Sequence, residues 1–280
     1  MRIAIGVDFN GRNFRGWQIQ QDGMRTVQES LEQAIASVAN HPVTLHGAGR
    51  TDAGVHGAGM IAHFDTTSVR PNRSWVRGVN THLPDDIALR WVCPVSDEFH
   101  ARFKAVARRY RYVIYNHPIR SSLLSGMVTW HHYPLDLERM QAAARYLVGE
   151  HDFTSFRAMA CQAPHPRRHV HFIELTQRGP LIVLDIQGNG FLHHMVRNIA
   201  GVLMAIGQGK AEPLWAQEVL EASQQADAAR TEAVSASQQR SASLTEAFTR
   251  GVSKLQSLRS TSGTSSSSFE QQAQGLTELD

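Results

Sequence analysis

The chain has 280 residues, room for one large domain or two of ordinary size, and its 42% hydrophobic and 19% charged residues exclude a wholly disordered or fibrous chain. No run of about 18 apolar residues occurs, so no membrane-spanning helix is expected. A net charge of +3 and a pI near 9.1 are compatible with a nucleic-acid partner but do not require one.

Met1–Phe9 (MRIAIGVDF) turns acidic too soon for a signal peptide. Cys93 and Cys161 lie far apart and form no CxxC, which fits a reducing, cytoplasmic setting. Arg2–Phe9 reads as a β-rich strand, followed by a glycine-punctuated loop, DFNGRNFRGWQIQ. Thr26 and Glu29 form a capping box, and Val27, Leu31, Ala34, Ile35 and Val38 recur at helical spacing. Val43–His46 and Met60–Phe64 read as strands on either side of GAGRTDAGVHG, in which a short helical turn is expected around Ala53–His56. A helix over Ser74–Leu83 and a strand over Ile87–Val95 follow.

In the second half, Arg109–Tyr115 reads as a strand with Tyr110, Tyr112 and Ile114 on one face. Leu135–Leu147 is an amphipathic helix, and Val170–Leu175 and Leu181–Ile186 form an antiparallel pair about Gly179-Pro180. Helices are predicted over Phe191–Ile206 and Pro213–Ala222. The repeated order of strand, helix and strands predicts an α+β fold of two halves, 1–105 and 106–225. From Ala226 to Asp280 the chain is rich in Ser, Gln, Thr and Ala, with only Phe248 and Phe269 as aromatics, and reads as a disordered tail.

Three stretches carry chemistry. In GAGRTDAGVHG, Asp52 lies between Arg50 and flexible glycines. A guanidinium nearby favours the ionised carboxylate, which suits a nucleophile or an electrostatic stabiliser rather than a general acid. A charged surface turn explains the same residues. The stretch has neither the GK[ST] of a phosphate loop nor a GxGxxG turn. His46, His56 and His63 lie nearby, but their spacing matches no standard metal set.

The second stretch, FHARFKAVARRYRY, interleaves Arg102, Lys104, Arg108 and other bases with aromatics, as phosphate contact plus base stacking requires. A strand with one solvated face would alternate in the same way. Arg167 and Arg168 in PHPRRH add a further basic cluster. The third stretch, FLHHMVRNIAGVL, sets Arg197 at helical spacing from His193 and His194. Arg197 is there either buried and paired, with Asp52 as a candidate acid, or exposed on the polar face.

GAGRTDAGVHGAGMIAHFD resembles the signature of the tRNA pseudouridine synthase A family. GWQIQ with TVQESLE, NTHLPDDIALR, FHARFKAVARRYRYVIYN, GEHDFTSFR and FLHHMVRNIAGVL resemble further family blocks in order, over about Met1–Ala222. The resemblance implies an isomerase that converts uridine to pseudouridine at positions 38 to 40 of the tRNA anticodon stem-loop. It implies no cofactor and no metal, a homodimer, and the pseudouridine synthase fold, two halves sharing a central, mostly antiparallel sheet flanked by helices. Asp52 matches the family's catalytic aspartate, Arg50 its motif neighbour, Tyr110 the active-site tyrosine, and Arg197 the arginine that pairs with the aspartate. The basic residues Arg102, Lys104, Arg108, Arg167 and Arg168 are expected to hold phosphates, and Tyr110 to contact the base.

Two departures stand out. Asn10 replaces the family's usual aspartate, and no Gly-Leu-Tyr-Leu-type strand occurs between Ala226 and Asp280. The second leaves open a tRNA-binding protein with impaired catalysis. A glycosidase is a weaker alternative, because it needs two carboxylates about the bond and the motif supplies one.

Overall fold

The chain begins in the middle of a sheet. Strand β1, Arg2–Phe9, pairs antiparallel with β3, Gly57–Asp65, on one side and with β4, Ile87–Val95, on the other. The two-residue β2, His46–Gly47, completes the order β2-β3-β1-β4. Helices α1, Val27–Ala39, and α2, Asn72–His82, cover this sheet. As the capping box predicts, Thr26 Oγ1 accepts a hydrogen bond from the Glu29 N–H at 3.4 Å. Ile3, Ile5 and Val7 of β1 pack with Leu31 and Ile35 of α1, and the Trp75 ring of α2 meets Phe64 edge-on at 5.5 Å.

These details come from a computed structural model that describes residues 1–20, 23–159, 161, 163–222, 235 and 239. Residues Met1–Leu220 form one compact unit and Glu221–Asp280 another. The expected tail, with the strand it lacks, lies outside the described residues apart from Ser235 and Gln239.

The second sheet has the order β6-β5-β9-β8-β7: β5 Arg108–Asn116, β6 Thr129–His131, β7 Gly149–Asp152, β8 Arg167–Arg178 and β9 Leu181–Gly188. Only β5 and β6 run parallel. Helices α3, Leu137–Ala144, and α4, Met195–Gly207, pack together over this sheet, burying Met140, Ile199, Leu203 and Ile206 with Leu184 and Ile186 of β9.

The α+β class and the mostly antiparallel pairing stand as expected. Among the described residues the strands pair as two sheets rather than as one shared ladder. The sheets are joined instead by the Arg108 guanidinium at the start of β5. It donates to Ala48 O beyond β2 (3.2 Å), to Asn189 O beyond β9 (2.9 Å), and to Arg102 O and Ala105 O. A two-residue β2 offers too few backbone groups for a ladder, and one side chain supplies the bridge.

Candidate active site

The loop carrying Asp52 runs from Ala48 to His56, between β2 and β3. The stretch after β1 grips it through its own backbone N–H and C=O groups. Trp17 N–H donates to Thr51 O (3.1 Å), Gly54 N–H donates to Phe14 O (3.3 Å), and Gly11 N–H donates to His56 Nδ1 (3.2 Å). Gly16 makes this contact sterically possible, since a Cβ there would lie 2.6 Å from Thr51 O, and its φ is +97°. Within the loop the expected helical turn is a single hydrogen-bonded turn, with Val55 N–H on Asp52 O at 3.1 Å and Gly54 at φ +80°.

Asp52, half-buried at 40% side-chain exposure, lines a cleft of about 1220 Å³. Both halves line it. The first contributes Arg50, Asp52, His46 and Trp17, and the second Tyr110, Phe191, His193, His194 and Arg197. Strand β5 directs Tyr110 into the cleft, where its ring stands edge-on to Phe191 at 5.2 Å. Burial pushes the Tyr110 phenol above its usual range, Arg108 opposes this, and the Asp52 charge adds to it. The Tyr110 phenol is therefore neutral at neutral pH.

Helix α4 starts four residues later than periodicity predicts. Residues 191–194 precede it, and His194 holds a left-handed conformation at φ +60°. This changes the partners of Asp52. His193 Nε2 lies 3.5 Å from one carboxylate oxygen and His194 Nε2 lies 3.6 Å from the other. Neither Arg50 nor Arg197 comes within 4.0 Å of the carboxylate, and both are exposed. The expected Asp52–Arg197 pair is thus not formed here. Arg197 lies one turn into the helix, while the histidines before it occupy the space against the carboxylate.

The basic patch separates into distinct parts. Arg102, Arg167 and Arg168 line the cleft. Lys104 is not among the described residues that line it. Arg108 lines it too, yet spends four donors on carbonyls and acts as a brace rather than a free phosphate contact. Burial lowers the Arg168 pKa, and its guanidinium donates to His165 O (2.7 Å) and Arg167 O (2.6 Å).

Sequence alone assigns Phe103 and His100 no individual role. Phe103 is 75% exposed beside the arginines, and its ring lies 4.3 Å from that of His100. His46, His63 and His100 form a cluster with ring centroids 4.7–5.5 Å apart. His63 is buried and its pKa is lowered to about 4, first by burial and then by His100, His46 and Arg2. These histidines are separate from Asp52. The one group of three potential metal ligands among the described residues is Asp52, His193 and His194.

A loop aspartate and a strand tyrosine brought together in an arginine-lined cleft is the arrangement that the resemblance implies. Residues 6–104 and 143–240 match the family described as tRNA pseudouridine synthase. The chain belongs to this family. A relative from Alcanivorax borkumensis, named tRNA pseudouridine synthase A, is 56% identical over 230 residues, covering 82% of this chain and 86% of that protein. Proteins of the same name from Pseudomonas aeruginosa and Vibrio cholerae are 57% identical over 221 residues and 52% over 231. They cover 79% and 82% of this chain and 78% and 87% of those proteins. Both segments matching the family contribute to the cleft, the first through Asp52 and the second through His193, His194 and Arg197.

Proposed function

We propose that this chain is a tRNA pseudouridine synthase that isomerises uridine at positions 38 to 40 of the anticodon stem-loop, with Asp52 as the catalytic nucleophile. The observation that carries this reading is the Asp52 carboxylate facing Tyr110's side of a cleft lined by arginines from both halves. At about 1220 Å³ the cleft exceeds a typical small-molecule pocket of about 300–1000 Å³, as a macromolecular substrate requires.

The reaction breaks the bond from C1′ to N1 and forms one from C1′ to C5. The C5 proton leaves and N1 regains one, so no electrons are gained or lost and no redox cofactor is needed. Asp52 serves as the anion that adds to the nucleotide. A base in a stem must first leave the stack, at a cost of a few kcal/mol. Arg102, Arg167 and Arg168 offset that cost by holding phosphates, and Arg50 and Arg197 are free to meet the displaced nucleotide. Tyr110, neutral and half-buried, packs on the base and keeps it in place while it turns. The protein works in the cytoplasm as a homodimer and without a metal.

The test is to incubate unmodified tRNA with the full chain and map pseudouridine by mass spectrometry. Wild type should yield product, and Asp52→Asn should bind tRNA yet yield none. Absence of product from wild type, or undiminished product from Asp52→Asn, overturns the reading. Binding without product in wild type would favour the catalytically impaired tRNA-binding alternative. Sedimentation velocity tests the dimer.

A further inference from the structure

We propose that Asp52, His193 and His194 form a site for a borderline-soft divalent cation such as Zn²⁺, and that occupying it withdraws Asp52 from the reaction. One ligand atom from each residue, a ring nitrogen of each histidine and a carboxylate oxygen of Asp52, all lie within 4.8 Å of one another. His193 Nε2 lies 3.5 Å from one carboxylate oxygen and His194 Nε2 lies 3.6 Å from the other. Zinc bonds of about 2.0–2.1 Å set ligand atoms roughly 3.4 Å apart at a tetrahedral centre. The three groups can close on one ion by small side-chain rotations.

The backbone already holds the histidine pair in place. His193 O accepts from Ala158 N–H (3.0 Å), and His194 O accepts from Asn198 N–H (2.9 Å). Between them His194 adopts φ +60°, a conformation rare for a side-chain-bearing residue. It sets the two imidazoles 4.0 Å apart, each facing a different oxygen of Asp52. Among the described residues neither imidazole makes any other polar contact, so both are available as ligands. All three side chains are between 34% and 40% exposed, so the remaining coordination positions face solvent.

Donor chemistry selects the ion. Two imidazoles and a carboxylate suit Zn²⁺, Co²⁺ or Ni²⁺ and disfavour Mg²⁺, which takes oxygen ligands and keeps its waters. This discrimination matters because Mg²⁺ accompanies RNA. Arg50 and Arg197 line the same cleft and oppose a cation, which keeps the site exchangeable rather than permanently filled. The inhibitory consequence rests on the proposed function, because it requires Asp52 as a free anion. Binding itself does not.

The experiment is calorimetric titration of the metal-stripped full chain with zinc chloride and, separately, magnesium chloride. Wild type should bind Zn²⁺ in preference to Mg²⁺. His193→Ala and His194→Gly should each weaken it at least as much as loss of an outer-shell partner does, about 10–100-fold. Glycine suits φ +60°, so His194→Gly removes the ligand without straining the fold. Co²⁺ should give a visible absorption band in wild type that both variants lose. Zn²⁺ should suppress pseudouridine formation, and a chelator should restore it. Zn²⁺ binding unchanged in both variants would overturn the proposal and assign the ion to other histidines such as His131–His132. Equal binding of Mg²⁺ would overturn it as well. If metal-free protein makes no pseudouridine while the titrations behave as expected, the functional reading fails and the metal site stands.

Discussion

Replacing His63 with glutamine should flatten the acid limb of the stability curve. His63 is 1% exposed, its Nδ1 accepts the Ala101 N–H at 3.2 Å, and its pKa is lowered to about 4 from 6.5. The native chain therefore resists a proton that the unfolded chain takes up near pH 6.5. Stability from the neutral ring is complete above that pH, declines as pH falls, and is fully lost below about 4. The gap of about 2.5 units, at about 1.36 kcal/mol each, sets a ceiling of roughly 3.4 kcal/mol. At about pH 5 the loss relative to about pH 7.5 is on the order of 2 kcal/mol. His46 and His100 open the cluster to the cleft, and solvent screening there reduces the expected loss to about 1–2 kcal/mol. Glutamine can still accept from Ala101 but does not titrate. Urea unfolding of both proteins at the two pH values measures the difference directly. His100 and His131, whose pKa values burial also lowers, act in both proteins and cancel. An equal loss of stability in wild type and His63→Gln would refute the reasoning.

Gly16→Ala would set a Cβ 2.6 Å from Thr51 O and displace the loop that holds Asp52. A shift near 1 Å should cost about 100-fold in single-turnover rate, with tRNA affinity nearly unchanged. Arg108→Ala should remove the bridge between the sheets and leave four carbonyls without their donor. Denaturant unfolding should record a loss of about 2 kcal/mol, and lysine, with one compact ammonium, should restore little of it. Arg167→Ala should weaken all tRNAs alike, with the slope of log affinity against log salt falling by about 0.7–0.9 for each phosphate that is no longer neutralised.

Much of the fold is legible because local and tertiary signals agree. The β-rich apolar run Arg2–Phe9 forms β1 over that range, and the Thr26 cap starts α1 where predicted. The misreadings have local causes. Val43–His46 looks like a strand, yet Glu32 Oε1 accepts from Leu45 N–H (2.8 Å) and Gln28 Nε2 donates to Leu45 O (3.2 Å). Helix side chains thus use the groups that a ladder would need, and only His46–Gly47 pairs as strand. Strands β6 and β7 are three and four residues long, too short for alternation to register. In the site, periodicity extends α4 back over His193 and His194 and so sets them one turn from Arg197 on a common face. The left-handed turn at His194 is the feature that periodicity cannot see. It turns both imidazoles onto Asp52. The HH doublet beside a helix start is the one local signal of it.

The order in which the cleft's walls appear along the chain bears on synthesis. Asp52 belongs to the first sheet's loop and Tyr110 to the second sheet, while His193, His194 and Arg197 come just before the end of the larger unit. A chain synthesised only through its first sheet has Asp52 but none of the second half's residues that line the cleft. It lacks Tyr110, both histidines and Arg197 across the cleft, and the Arg108 bond to Ala48 O. On the proposed function, isomerisation therefore awaits the second half of the chain.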